Sequence, residues 1–207
     1  MKKKVIAFDL DGVIIDSLPN MKISWNETCK KNDLNISFLK YKKLIGVPFI
    51  QILKKLNVRN KLKKIQQDYE YFSIKYTHLI RCYPDISKVL NKLRKKYKIA
   101  IITSKSRKRS IYILKKKRLK YDMLVTPNDV RKGKPNPESV IKVLKKFSLK
   151  RENILLIGDT IFDYKLARNS KIDFFFAKWG YGALKQKSLN KLNKPIEILK
   201  KIDSKLF

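Results

Sequence analysis

Hydrophobic and polar positions follow two patterns along the chain: short apolar runs, and longer segments with apolar residues at helical spacing. The apolar runs predict buried strands at residues 5–10, 99–104, 123–126, 153–158 and 173–179. Between the later runs, apolar residues recur three and four positions apart, as at Ile86, Val89, Leu90 and Leu93. Strands that alternate with helices predict an α/β fold, with a parallel sheet covered by helices on both faces.

The segment between the first two runs is too long for one crossover helix, and it carries two apolar stripes of its own. These stripes comprise Phe49, Ile52, Leu53 and Leu56, then Ile65, Tyr69, Phe72, Tyr76 and Leu79. They predict at least two amphipathic helices that pack on each other. We therefore expect a Rossmann-like core of residues 1–16 and 84–207, and an inserted helical cap domain of residues 17–83. The tail, residues 184–207, is predicted to be helical and peripheral.

The net charge of +34 brings nucleic acid or an acidic membrane surface to mind. However, only nine of the 51 basic residues are arginines, and the lysines occur along nearly the whole chain. Specific nucleic-acid readers favour arginine and concentrate charge on one face. We therefore expect solvated lysine-rich helix faces and no specific nucleic-acid site.

Nothing in the sequence predicts export or membrane insertion. The apolar run near the start is too short for a signal peptide, and no long uncharged segment follows. The two cysteines, Cys29 and Cys82, have no spacing typical of zinc sites or disulfide frameworks. We expect a cytoplasmic protein with reduced thiols and no membrane partner.

Polar residues end four of the apolar runs: Asp9, the pair Thr103 and Ser104, Thr126, and Asp159. In a parallel sheet these positions lie at the carboxyl edge, where open α/β folds bind their ligands. Residues that are distant in sequence are therefore predicted to converge. We interpret Thr126 itself as a turn residue.

Carboxylates dominate this predicted edge. Asp163 follows Asp159 by one helical turn if a helix begins near Thr160, so both side chains can face one point. With Asp9 and Asp11 they form an all-oxygen cluster. Such a cluster suits a hard octahedral cation that keeps several waters, and Mg²⁺ fits best.

Carboxylates, a metal and Lys134 nearby favour phosphoryl chemistry, because developing negative charge needs cationic partners. The sequence gives little support for other phosphate-binding or catalytic motifs. The only histidine, His78, lies in the inserted segment, and the six glycines form no phosphate-binding P-loop. An aspartate that forms an acyl-phosphate is a known alternative nucleophile.

Four segments in chain order resemble the motifs of the haloacid dehalogenase-like hydrolases. They are Asp9-Leu10-Asp11-Gly12-Val13, the run ending in Thr103-Ser104, Lys134-Pro135-Asn136-Pro137-Glu138, and Gly158-Asp159-Thr160-Ile161-Phe162-Asp163. The insertion after the first motif resembles the helical cap of the phosphoglycolate phosphatase and β-phosphoglucomutase branch. The segment Trp179-Gly180-Tyr181-Gly182 is similar to the phosphoglycolate phosphatase side of that branch.

The resemblance implies a Mg²⁺-dependent phosphatase that acts on a small phosphorylated metabolite. By it, Asp9 attacks phosphorus and becomes an aspartyl-phosphate, and Asp11 protonates the leaving oxygen and then activates water. Thr103, Ser104 and Lys134 would bind the phosphate group, with Thr103 and Lys134 taking part in catalysis. Dehalogenase members of the family lack the second aspartate, so Asp11 favours a phosphatase or phosphotransferase.

The same resemblance implies the ligands of Mg²⁺. Asp159 and Asp9 would bind the ion together with the Asp11 carbonyl, and Asp163 would bind it directly or through water. Two alternatives stay open: a β-phosphoglucomutase-type phosphotransferase, and a basic nucleic-acid-binding protein on a hydrolase fold. The sequence leaves the substrate and the oligomeric state undetermined.

Two further segments receive lesser roles. Asp16 and Ser17 are interpreted as a turn or helix cap at the start of the insertion, without a catalytic role. Gly46-Val47-Pro48 resembles the cap loop that approaches the substrate in relatives, although this pattern is also a common turn.

Overall fold

A computed structural model of the chain describes residues 3–184 and 189–204. Within these ranges the strands are β1 (Val5–Phe8), β2 (Ile15–Asp16), β3 (Arg81–Cys82), β4 (Lys98–Ile102), β5 (Met123–Val125), β6 (Ile154–Gly158), β7 (Asp173–Ala177) and β8 (Asn190–Leu192). The α-helices are α1 (Leu18–Lys31), α2 (Phe38–Lys42), α3 (Phe49–Lys55), α4 (Leu62–Lys75), α5 (Ile86–Leu93), α6 (Arg107–Lys116), α7 (Glu138–Lys146), α8 (Ile161–Ser170) and α9 (Glu197–Ser204). Each of these helices is too short or too polar to span the hydrocarbon of a bilayer.

Six of the strands form one parallel sheet in the order β5-β4-β1-β6-β7-β8. The central strand β1 pairs with β4 on one side and β6 on the other, with Ala7 opposite Ala100 and Leu156. The predicted Rossmann-like α/β fold is therefore confirmed. The carboxyl ends of β1, β4, β5 and β6 meet at one edge, as the sequence pattern predicts.

The core lies on both faces of this sheet, because alternate residues of β1 point to opposite sides. Ile6 and Phe8 join a buried cluster with residues of α5, α6 and α9. Val5 and Ala7 join a second cluster with residues of α7 and α8. Fully buried strands explain why the sequence shows continuous apolar runs rather than alternation.

Helices α1 to α4 form a third buried cluster, centred on Trp25, Leu53 and Tyr69. The two predicted amphipathic helices correspond to α3 and α4, and the structure adds α1 and α2. Strands β2 and β3 pair antiparallel at the two ends of this helical segment, with Asp16 opposite Arg81. Cys29 is buried and Cys82 is half-buried, and both are free cysteines.

The prediction of a helical, peripheral tail is wrong for two parts of the chain. Residues 190–192 form the edge strand β8, which pairs in parallel with β7, and Leu192 is fully buried. The second part, α9, is helical as predicted, but it is not peripheral, because Ile198 is fully buried in the core. A three-residue strand with one apolar side chain gives no hydrophobic periodicity in the sequence. Such a strand is defined by its backbone pairing. Tail residues 185–188 and 205–207 lie outside the described part.

Candidate active site

The loop after β1 brings two carboxylates to the carboxyl edge of the sheet. Asp9 is only 5% exposed, and its backbone N–H donates to the Ile157 carbonyl oxygen at 2.9 Å. Gly12 has a φ of +87°, which glycine adopts readily, and a Cβ there would overlap the Asp159 carboxylate. The turn therefore packs directly against Asp159, the residue that follows β6.

Asp9, Asp159 and Asp163 form what we call the acidic cluster. One carboxylate oxygen from each lies within 4.8 Å of the others. Asp163 is oriented by the start of α8, where its Oδ2 accepts from the Thr160 N–H at 3.0 Å and from the Thr160 hydroxyl at 2.6 Å. This capping box confirms the prediction that a helix begins near Thr160.

Lys134 is the cation that contacts this cluster. Its Nζ lies 2.8 Å from Asp9 Oδ1 and 2.5 Å from Asp163 Oδ1. Asp159 Oδ2 accepts from the Tyr181 N–H at 2.6 Å, whereas Asp159 Oδ1 is buried and has no hydrogen-bond partner within the described ranges. One ammonium does not balance three buried carboxylates.

The acidic cluster therefore fits a hard divalent cation such as Mg²⁺. It offers carboxylate oxygens only, and the unpaired Asp159 oxygen is a free ligand atom. The Asp11 carboxylate, predicted in the same cluster, does not lie in this group. The contribution of the Asp11 carbonyl stays a prediction.

The Asp11 carboxylate instead has two partners that sequence reasoning missed. The Ser17 hydroxyl donates to Asp11 Oδ1, and Lys105 Nζ lies 3.0 Å from the same oxygen. Ser17 received only a capping role, and Lys105 is inconspicuous among so many lysines. Its position directly after Thr103 and Ser104 is the signal that could have identified it.

The segment that follows β7, residues 179–182, packs against the loop that follows β1. The Trp179 indole N–H donates to the Val13 carbonyl oxygen at 3.2 Å. The Tyr181 hydroxyl accepts from the Ser17 N–H at 2.6 Å. The Trp-Gly-Tyr-Gly segment thus orients the turn that carries Asp11.

Burial controls the protonation of the acidic cluster. Burial raises the pKa of Asp9 to about 7, with Lys134 opposing this shift and the Asp163 and Asp11 carboxylates adding to it. Burial also raises the pKa of Asp159 well above its usual range, and Asp163 and Asp9 increase this effect. These shifts are those expected of buried carboxylates whose negative charge is only partly balanced by Lys134.

The pKa values of Lys134 and Lys105 shift in opposite directions. Burial alone would lower the pKa of Lys134, but its two carboxylate partners outweigh burial and raise it. Burial and the neighbouring Arg109 lower the pKa of Lys105 to about 8, although Asp11 acts in the opposite sense. The environment of Lys105 is thus already rich in positive charge.

Thr103 and Ser104 lie where the sequence pattern predicts, directly after β4. The Thr103 N–H donates to the Val125 carbonyl oxygen at 3.0 Å, and the Ser104 hydroxyl donates to the Gly46 carbonyl oxygen at 2.7 Å. The predicted cap loop therefore contacts the edge of the sheet. Both residues line a cavity with Asp9 and Asp11.

This cavity lies between the sheet edge and helices α1 to α4 and encloses about 450 Å³, including its opening to solvent. Its lining residues are Asp9, Asp11, Met21, Tyr41, Ile45, Gly46, Val47, Phe49, Ile52, Tyr69, Thr103, Ser104, Lys105 and Arg109. Lys134 contacts Asp9 from outside this lining.

Lys105 and Arg109 form the positively charged side of this cavity, which we call the basic wall. Both are 5% exposed. Arg109 Nε donates to the Ser73 hydroxyl at 2.9 Å, and the guanidinium carbon lies 4.8 Å from the centroid of the Tyr69 ring. Sequence reasoning missed Arg109, because Arg107-Lys108-Arg109 looks like an ordinary solvated basic helix.

Comparison with known proteins assigns the family. The sequence model of the haloacid dehalogenase-like hydrolases matches residues 6–177. The chain therefore belongs to this hydrolase family, and the predicted resemblance is confirmed. The predicted enzyme class, a hydrolase, is confirmed with it.

Curated relatives align over almost the whole chain. A phosphoglycolate phosphatase of Aquifex aeolicus (strain VF5) is 27% identical over 213 residues, covering 97% of each chain. A pyrophosphatase PpaX of Bacillus mycoides (strain KBAB4) is 28% identical over 215 residues, covering 100% of this chain and 96% of the relative.

Solved structures share the fold. A hydrolase from Pseudomonas syringae has a TM-score of 0.85 at 24% identity, covering 98% of this chain and 99% of the other. A haloacid dehalogenase-like family protein from Streptococcus pneumoniae has a TM-score of 0.83 at 22% identity, covering 96% of this chain and 98% of the other. These similarities extend over the inserted helices as well as the sheet.

Proposed function

We propose that this protein is a Mg²⁺-dependent phosphatase that hydrolyses a small phosphate monoester through an aspartyl-phosphate on Asp9. The observation that carries the proposal is the position of Asp9. Its carboxylate lines the cavity, contacts Lys134 at 2.8 Å and belongs to the acidic cluster. The names of the two curated relatives support phosphate chemistry.

In the proposed reaction, an Asp9 oxygen bonds to phosphorus while the bond from phosphorus to the ester oxygen breaks. Asp11 donates a proton to that leaving oxygen. Asp11 then accepts a proton from a water molecule, which attacks phosphorus, breaks the bond to Asp9 and releases phosphate. Ser17 and Lys105 hold the Asp11 carboxylate in place for both steps.

Other residues of this chain bind the phosphate group. Thr103 provides a hydroxyl and Ser104 lies beside it at the cavity, and Lys134 balances negative charge next to Asp9. Asp9, Asp159 and Asp163 would hold Mg²⁺. When bound, the ion would offset charge on the phosphate oxygens.

We also propose that residues 17–83 act as a cap over the core formed by residues 1–16 and 84–207. Helices α1 to α4 close the cavity opposite Asp9, which excludes bulk water and limits substrate size. Phosphoglycolate and pyrophosphate are the first substrates to test, given the names of the relatives. The cytoplasmic location and the absence of specific nucleic-acid binding stay predictions.

The test is phosphate release from a panel of small phosphate compounds, with Mg²⁺ and with EDTA. Asp9→Asn is compared with wild type and with Asp33→Asn, an exposed position on the cap. We expect Mg²⁺-dependent release that Asp9→Asn abolishes and Asp33→Asn retains. Phosphate release that persists in Asp9→Asn would contradict the assignment of Asp9 as the nucleophile. Isomerisation of a sugar phosphate without net phosphate release would favour a phosphotransferase.

A further inference from the structure

Arg109 has a charge that nothing in the described ranges balances. The side chain is nearly fully buried, and Nη2 has no hydrogen-bond partner among the described residues. The Ser73 hydroxyl and the ring and hydroxyl of Tyr69 also contact the guanidinium, and these groups are uncharged. A buried guanidinium without an anion is costly, so the site is complete only when an anion is supplied.

The acidic residues around the cavity do not meet this need. Only Asp9 and Asp11 contribute carboxylates to its described lining. Asp9 is paired with Lys134, and Asp11 is paired with Lys105 and Ser17. Among the described residues, no carboxylate forms an ion pair with the Arg109 guanidinium.

Arg109 also lies where a bound molecule can reach it. It lines the cavity with Asp9, and it lines an adjoining cleft that Tyr69 and Ser104 share with that cavity. The hydroxyls of Tyr41 and Tyr69 are 2.8 Å apart on the cap side. The planar guanidinium matches the geometry of a carboxylate or phosphate group.

We infer that Arg109 determines specificity by binding a second anionic group of the substrate, while Asp9 receives the phosphoryl group. This inference rests on the proposed function and names its substrate class: small phosphate compounds that carry a second anionic oxygen group, either carboxylate or phosphoryl. Because Arg109 belongs to α6 of the core and contacts Ser73 and Tyr69 of α4, the second group binds where cap and core meet.

The experiment compares kcat/KM for three substrates in wild type, Arg109→Met and Arg109→Lys. Phosphoglycolate carries a carboxylate, pyrophosphate carries a second phosphoryl group, and ethyl phosphate has a neutral tail. We expect Arg109→Met to lower kcat/KM by roughly 10- to 100-fold for whichever of phosphoglycolate and pyrophosphate, the two substrates with a second anionic group, is preferred. The kcat/KM for ethyl phosphate should change less than about threefold. Arg109→Lys should lose less activity than Arg109→Met, because it keeps a positive charge.

Lys108→Met is the matched control, because it removes one positive charge from an exposed position on the same helix. It should leave all three values unchanged. An equal loss for all three substrates in Arg109→Met would overturn the inference, because it would assign Arg109 to the phosphoryl group or to structure. The preferred one of phosphoglycolate and pyrophosphate identifies the second group as carboxylate or phosphoryl.

A binding measurement separates this inference from the proposed function. Phosphonoacetate has two anionic groups and resists hydrolysis, whereas methylphosphonate has only one. Calorimetry should show that Arg109→Met weakens the binding of phosphonoacetate by roughly 10-fold or more. The affinity for methylphosphonate should stay unchanged. That result would support the subsite even without phosphatase activity, whereas equal weakening of both ligands would contradict it.

Discussion

The acidic cluster and the basic wall differ in the sign of the charge that each leaves without a partner. Among the described residues, the cluster has three buried carboxylates and one ammonium, and Asp159 Oδ1 has no hydrogen-bond partner. Within the same part of the chain, the wall has two buried cations and one carboxylate partner, and Arg109 Nη2 has no hydrogen-bond partner. The two regions meet at Asp9 and Asp11, which are separated by one residue of the same loop.

This difference teaches that the site is built for two ligands of opposite charge. Buried ionic groups are normally paired, and a region that lacks partners is completed by what it binds. The cluster is completed by a cation and the wall by an anion. Substitutions that remove one unpaired charge should therefore affect one ligand and spare the other.

The largest effect is expected for Asp9→Asn, because this change removes the proposed nucleophile and a cluster carboxylate together. Phosphate release should fall by at least about 10³-fold. Asp33→Asn, on the exposed surface, should stay within about twofold of wild type. Steady-state kinetics at saturating Mg²⁺ provide the measurement.

The next change, Asp159→Asn, tests the acidic cluster through stability as well as activity. Without Mg²⁺, the variant should melt several degrees above wild type, because it removes a buried carboxylate that forms no ion pair with a described cation and has one oxygen without a hydrogen bond among the described residues. Added MgCl₂ should raise the melting temperature of wild type and change the variant little, because binding to the folded state stabilises by mass action.

Scanning calorimetry in EDTA and in MgCl₂ makes this comparison. Activity of Asp159→Asn should fall by about 10²-fold or more at low Mg²⁺. A variant that is less stable than wild type in EDTA would show that the Asp159 carboxylate is already satisfied without a cation.

A smaller effect is expected for Ser17→Ala, which tests the partners of Asp11. Loss of the hydroxyl that donates to Asp11 should lower kcat by about 10-fold, change KM little and shift the pH dependence of kcat. Ser24→Ala is the matched control, because the Ser24 hydroxyl is buried without a partner on the adjoining helix α1. An unchanged pH profile in Ser17→Ala would indicate a structural role only.

The sequence predicts the acidic cluster better than the basic wall for a physical reason. Asp9, Thr103 and Asp159 each end an apolar run, and parallel strands bring their ends to one edge. Lys105 and Arg109 carry no comparable signal, because lysine and arginine on a basic helix are usually solvated. Only tertiary packing against α4 buries Arg109.

The tail shows the same limit for the fold. Long, fully buried strands are visible as apolar runs, whereas β8 is defined by backbone pairing with β7 and has one buried side chain. Pairing between distant segments has no local pattern. The α/β class could therefore be predicted, and the edge strand could not.

The smallest effect is expected for Asp68, a buried carboxylate outside the site whose partners are complete. Its oxygens contact Lys31 Nζ at 2.6 Å and Asn32 Nδ2 at 3.0 Å. Burial alone would raise the pKa of Asp68, but these hydrogen bonds and the Lys31 charge outweigh burial and hold it below the usual range.

A lowered pKa in the folded state stabilises the protein above the unfolded pKa of about 4, and this contribution is lost as pH falls through the folded value. Asp68→Asn should therefore lower the free energy of unfolding by about 1 kcal/mol at pH 7, and the difference should shrink below about pH 4. Urea unfolding at both pH values measures it. The sign is opposite to that expected for Asp159→Asn in EDTA, because Asp68 has its cation and Asp159 does not; equal signs would show that burial, rather than missing partners, sets the energetics of these carboxylates.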